Sequence, residues 1–164
     1  MEKDTIVIVP TEEKHIEDCV RIALQAWTGI HEEYARQLGQ DLHDRIMTGW
    51  EEEKADAVRA KQRSGNGYVA LLDGKVAGFI SYSVQGELGT IGLNAVDAAC
   101  RGHGIAGKLH AFVLDKMRSE GATVAKVLTG LDDAHAPARR AYEKSGFRKN
   151  LPSVTYYKDL REEA

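Results

Sequence analysis

The stretch from Glu87 to Thr129 constrains the fold more than any other, because a strand, a glycine-rich loop, a helix and a second strand follow one another there. Two strands of one sheet joined through a helix run parallel, and the crossover is right-handed, since a twisted strand feeding a right-handed helix packs back only that way. Glu87 to Val96 and Val124 to Thr129 are therefore expected side by side. The helix between them starts near Ile105. Ile105, Leu109, Phe112, Val113 and Met117 recur at helical spacing, and Gly121 sits where a terminator belongs.

An antiparallel meander precedes this unit. Tyr68 to Leu72 and Lys75 to Val84 flank Asp73-Gly74, a pair that tolerates the positive φ of a type I′ turn. Gln85-Gly86 marks the next reversal, and Gly89 and Gly92 in the third strand point to a bulge or a close backbone approach. Ser64-Gly65-Asn66-Gly67 separates these strands from a helical N-terminal part. In that part Ile6 to Val9 reads as a strand closed by Pro10, and Thr11-Glu12-Glu13 as an N-cap with an acidic first turn. Ile16, Cys19, Val20, Ala23 and Trp27 make the buried stripe of a first helix. Thr28 to Asp41, with two glycines, reads as a helix end and loop, and Leu42 to Gln62 as a second helix. Ala136 to Ser145 forms a last helix with Pro137 in its first turn, and Val154 to Asp159 a last strand. The 164 residues carry no repeat or linker, so one domain over 1–164 is expected: an α/β fold (α+β, mixed sheet) in which the meander joins a parallel strand pair flanked by helices.

Composition removes several classes of function. The net charge of -3 offers no basic field for holding nucleic acid through its phosphates. The start Met1-Glu2-Lys3-Asp4 has no secretory pattern, and no run is long enough to span a bilayer. Cys19 and Cys100 build neither a disulfide framework nor a clustered zinc site. Cys19 falls in the first helix's apolar stripe, and Cys100 borders the glycine loop. His103 and His110, seven apart without a carboxylate or third imidazole, form no metal site. The expectation is a reduced cytoplasmic protein without metal, nucleic-acid partner or membrane contact.

The loop Arg101-Gly102-His103-Gly104-Ile105-Ala106-Gly107 carries the chemistry. Glycines let successive N–H groups converge, the helix start adds positive partial charge, and Arg101 adds a full one, which together suit a diphosphate. Gly102, Gly104 and Gly107 also spell the dinucleotide fingerprint of Rossmann domains. That reading fails on order: a meander comes first, Asp97 to Arg101 intervene, and too few residues follow for a doubly wound sheet.

Ala95-Val96-Asp97 followed by Arg101-Gly102-His103-Gly104-Ile105-Ala106 resembles the strand-and-loop signature of the GNAT superfamily of N-acetyltransferases. Ala138, Tyr142-Glu143-Lys144 and Gly146-Phe147 resemble its second signature, with His135 where asparagine is usual. The order of elements is similar over nearly the whole chain. The resemblance implies a GNAT-like fold in which the two parallel strands splay apart and the pantetheine arm of acetyl-CoA fills the gap. It implies that the backbone of Asn94, Ala95 and Val96 holds the arm, that the Val96 N–H polarises the thioester carbonyl, and that Gly102 to Gly107 bind the diphosphate. Tyr142 becomes the general acid for the leaving thiolate, and His135 and Ala138 join the cofactor surface, with Arg139 and Arg140 near the adenosine phosphates.

The implied reaction is direct attack of a primary amine on the thioester. Where some relatives carry a glutamate base this chain has Thr90, while Glu87 lies at the far end of its strand. His31, Glu32 and Glu33 are further base candidates, with ordered water the favoured route. Trp27, Tyr34, Glu32, Glu33 and Asp41 suit a cationic acceptor, either a small molecule or a peptide or protein amine. Family members are often dimers, which makes a homodimer an expectation. The competing reading is a non-catalytic acetyl-CoA-binding regulatory module.

Overall fold

The computed structural model describes residues 4–162. Five strands form one sheet in the order β1-β2-β3-β4-β5, comprising Ile6–Pro10, Gly67–Leu72, Lys75–Gln85, Leu88–Val96 and Val124–Lys126. The first three pairings are antiparallel and β4–β5 is parallel, as the crossover requires. Asp73 (φ 50°) and Gly74 (φ 83°) both take the left-handed region, which is the I′ geometry their identities favour.

Helices cover both faces. On one face α1 (Ile16–Leu38) and α3 (Trp50–Gln62) bury Cys19, Ile22, Ala23 and Val58 against Val69, Val76 and Phe79. On the other, α4 (Ile105–Ser119) lays Ile105, Leu109, Val113 and Met117 on Tyr68, Ala70, Ile80 and Ile91. The last helix, α5 (Ala136–Lys144), rests on α4 through Tyr142, which stacks on His110 at 4.9 Å between ring centroids.

A bulge in β4 decides which way the site residues face. Ile80 pairs with Asn94 but Tyr82 pairs with Ile91, so Gly92 and Leu93 together oppose Ser81 alone. Gly92 fits there because a Cβ would come 2.5 Å from Ser81 Oγ. Side chains alternate along a strand, and the extra residue inverts the alternation. Ile91 therefore faces α4, Leu93 and Ala95 face α1, and Asn94 and Val96 return to the α4 side.

Four expectations are corrected. The segment 28–38 is not a loop: α1 runs unbroken to Leu38. Leu42 to Gln62 is not one helix, because Gly49 (φ 81°) separates α2 (Gln40–Ile46) from α3. Thr11 does not cap. Its hydroxyl donates to Gln62 Oε1 (2.6 Å), and Glu12 closes a capping box with His15 instead. Finally, Val124 to Thr129 and Val154 to Asp159 are not full strands. β5 keeps three residues, Val124 is 58 % exposed, and 151–159 has no regular structure. Its far end is tied to α2 by Arg45–Asp159 and Arg161–Asp41 ion pairs (2.5 and 2.7 Å).

Candidate functional site

The ladder between β4 and β5 ends at Thr90–Lys126, while β4 continues six residues further to Val96. No strand among the described residues pairs with that side of β4 beyond Thr90, so its backbone groups line an open cleft. The cleft, of about 1800 Å³, extends from the loop before α4, along Ile91 to Val96, to α5. Trp27 and Ile30 of α1 close its other side.

The loop is built by local rules and pinned from outside. Asp97, at the end of β4, accepts from the Ala99 N–H (3.0 Å) and pairs with Arg21 of α1 (3.1 Å). The Ala99 amide, outweighing the opposing effect of burial and aided by Arg21, holds the Asp97 carboxyl below the usual range. Gly102 (φ 87°) and Gly104 (φ 72°) then turn the chain through the left-handed region that glycine permits. Gly104 is the N-cap of α4, and no side chain caps that helix. The N–H groups of Ile105, Ala106 and Gly107 have no acceptor in the first turn and none elsewhere among the described residues. These three residues line the cleft together with Arg101 and Gly102. His103 turns away instead, with Nδ1 3.0 Å from Asp4 Oδ2.

At the other end of the cleft Tyr142 is 8 % exposed. Asn94 Nδ2 donates both to the Gly92 carbonyl (3.1 Å) and to the Tyr142 hydroxyl (3.0 Å). The carbonyl fixes which way the amide points, so the phenolic oxygen accepts and its proton stays free for the cleft. Burial raises the phenol's pKa, with the Asn94 hydrogen bond in partial opposition. His135 and Ala138 line the same wall. Arg140 lines it too, whereas Arg139 does not reach out: its Nη1 donates to the carbonyls of Gly130 and Asp132, both at 2.7 Å.

The acidic residues expected at the mouth are mostly spoken for. Glu33 pairs with Arg36, Asp41 pairs with Arg45 and Arg161, and Glu32 is solvated. Lys54 sits over the Trp27 ring at 4.3 Å. His31 stacks on Trp50 (4.0 Å) and bonds through Nδ1 to His43 Nε2 (3.1 Å), outside the cleft lining. Glu87 is occupied by the Thr123 hydroxyl at 3.2 Å.

The sequence singles out His110 only as a metal ligand to be set aside, not as the buried partner of Tyr142. Its ring is 1 % exposed beneath Tyr142, with Nδ1 2.8 Å from Ser145 Oγ, and burial pushes its pKa down from 6.5 to about 4. Its position in the buried helical stripe was the available signal. Because the folded value lies below the unfolded one, its contribution is complete above pH 6.5 and is lost as pH falls toward 4. Acidification over that window should cost up to about 3 kcal/mol of folding stability. His110→Gln should flatten that part of a denaturation-versus-pH profile, and an equally steep variant profile would assign the loss to other groups.

Comparison with known proteins finds a family model described as "Acetyltransferase (GNAT) family" matching residues 24–147. No curated protein matches the chain. Among solved structures, the PaiA N-acetyltransferase of Thermoplasma acidophilum in complex with coenzyme A superposes with a TM-score of 0.68 at 14 % identity, over 91 % of this chain and 93 % of that one. The ribosomal-protein-S18-alanine N-acetyltransferase of Escherichia coli gives 0.66 at 17 % identity, over 96 % and 86 %. Aminoglycoside N-acetyltransferase AAC(6')-Iy with CoA gives 0.65 at 18 % identity, over 96 % and 97 %. At these identities the likeness is one of fold.

Proposed function

The chain belongs to the GNAT family of acetyltransferases, and from that premise we propose that it transfers an acetyl group from acetyl-CoA to a primary amine by direct attack. The observation that carries this reading is the continuous path from the open amides of α4, along the unpaired side of β4, to the Tyr142 hydroxyl. The amides of Gly102 to Gly107, with Arg101, bind the diphosphate. The backbone of Asn94, Ala95 and Val96 takes the pantetheine arm as a sixth strand would be taken. Acetyl-CoA supplies the activated acyl group. The Val96 N–H is aimed at the carbonyl oxygen, where one such donor is worth about 3 kcal/mol in the transition state. Tyr142 gives its free proton to the departing sulfur, and Asn94 holds the hydroxyl in place.

The acceptor is an amine of a small molecule, peptide or protein. The S18-alanine enzyme and the aminoglycoside enzyme take a protein and a small-molecule acceptor under one fold. The ion pairs of Glu33 and Asp41 favour acceptor recognition through Trp27, which lines the cleft, and Tyr34, beside the His135 ring, over a broad negative field. The reading takes 1–164 as one domain working in the cytoplasm, without metal, and pairing as a homodimer. No described helix is long and apolar enough to cross a membrane, and no described cluster of three His, Cys, Asp or Glu side chains is arranged for a metal.

Thiol release from acetyl-CoA, followed with a panel of primary amines, tests the proposal. Amine-dependent release with at least one acceptor is expected. Tight acetyl-CoA binding without release from any amine would instead favour a non-catalytic binding module, whose support is Thr90 where a strand carboxylate base is lacking.

A further inference from the structure

A primary ammonium must lose a proton before it attacks, and the wall of the cleft holds a side chain able to take it. We infer that His135 is the general base for the amine, acting through Nε2 with Asp132 as its positioning residue. This rests on the acetyltransferase reading.

His135 Nδ1 lies 2.6 Å from Asp132 Oδ1, and the two side chains are only 13 % and 11 % exposed. A carboxylate can only accept, so Nδ1 carries the hydrogen, and the neutral ring must present its lone pair at Nε2. That ring lines the cleft that also contains Tyr142, two helical turns further along α5. The pair is built rather than incidental. Arg139 clamps the carbonyls of Gly130 and Asp132, and a Cβ at Gly130 would lie 2.5 Å from both Asp132 Oδ1 and His135 Nδ1. Asp132 Oδ2 is buried and has no partner among the described residues, so the carboxylate keeps charge in reserve for an imidazolium.

The neighbouring groups leave this polarity intact. Burial pushes the Asp132 carboxyl up, but the His135 hydrogen bond and charge, with two backbone amides, hold it below the usual value. Tyr34 of α1, 6.4 Å from the His135 ring, is a phenol raised by burial and by Asp132, hence uncharged. His31 meets Tyr34 edge-on at 5.3 Å and does not line the cleft, Asp133 follows in the same turn, and the Arg139 guanidinium is committed to carbonyls.

The protons balance. The bound ammonium gives one proton to His135 Nε2, which later passes it to bulk water. The freed amine forms the C–N bond as the C–S bond breaks, Tyr142 protonates the sulfur, and the nitrogen's surplus proton restores the phenol. An alkyl ammonium with a pKa of about 10 needs such help at neutral pH.

The decisive variant is His135→Asn, which installs the amide that the family motif usually carries at this position. With an acceptor from the amine panel, kcat/KM at pH 7 should fall at least 10²-fold and the acid limb of its pH profile should vanish, while the Kd for CoA stays within a few-fold. Asp132→Asn should shift the limb and lower kcat/KM about tenfold. Imidazole ¹⁵N spectra of the free protein should show His135 as the Nδ1–H tautomer, a preference weakened in Asp132→Asn. Full turnover with an unchanged limb in His135→Asn would overturn the base, as would a loss accounted for by CoA affinity alone or a dominant Nε2–H tautomer. Wild-type protein that acetylates no amine would overturn the acetyltransferase reading as well.

Discussion

Gly104→Asp should raise the Kd for CoA at least 10²-fold, a loss of about 3 kcal/mol, in calorimetric titration. The substitution places a carboxylate at the N-cap of α4, where the helix opens with unclaimed amides and nothing lies within 4 Å of a new Cβ. A second anion there repels the diphosphate and itself occupies the amides, since aspartate is a good N-cap acceptor. The backbone cost is separate. Gly104 has φ 72°, where an L-residue pays about 1–2 kcal/mol, less for aspartate. Gly104→Ala shares that strain without the charge, so it should lose stability while retaining most of its affinity. CoA binding undiminished in Gly104→Asp would move the diphosphate elsewhere and leave the loop a mere turn.

Tyr142→Phe should lower kcat by 10²- to 10⁴-fold, the range of a lost general acid, with CoA affinity nearly unchanged. The ring would keep its stack on His110 and its edge contact with Phe147 at 5.9 Å. Asn94 would keep its bond to the Gly92 carbonyl, so only the hydroxyl and its proton are removed. Burial raises the phenol above its ordinary value of 10, so it remains protonated through physiological pH, as an acid must. No alkaline loss of activity from this group is expected below that value. A large loss of affinity with normal turnover would make Tyr142 a packing residue.

Elements with local causes were legible in the sequence. The hairpin at Asp73-Gly74, the α4 stripe and the Gly102–Gly104 turn each follow from residues adjacent in the chain. Elements that depend on remote partners were not. Gly29 argued for the end of α1, yet a glycine in an exposed helix position costs only about 1 kcal/mol, which packing on the sheet outweighs. Val154 to Tyr157 have strong strand propensity, but propensity supplies no neighbour. Among the described residues the segment pairs with no strand, and Tyr156 is 88 % exposed. The same division runs through the site. The loop and Tyr142 stood in motifs, whereas the Asn94 bond to Tyr142 and the Asp132–His135 contact join residues no motif connects.

The β4 bulge has a consequence for how such a chain can vary. The side on which Asn94 emerges depends on Gly92 and Leu93 sharing the one place opposite Ser81. Deleting Gly92 would leave Leu93 opposite Ser81 in a plain ladder, so Asn94 would still emerge beside Tyr142. A strand of unchanged length that lost the bulge would instead turn Asn94 toward α1, so the site should survive loss of the extra residue better than a side chain at Gly92, whose Cβ would meet Ser81 Oγ at 2.5 Å.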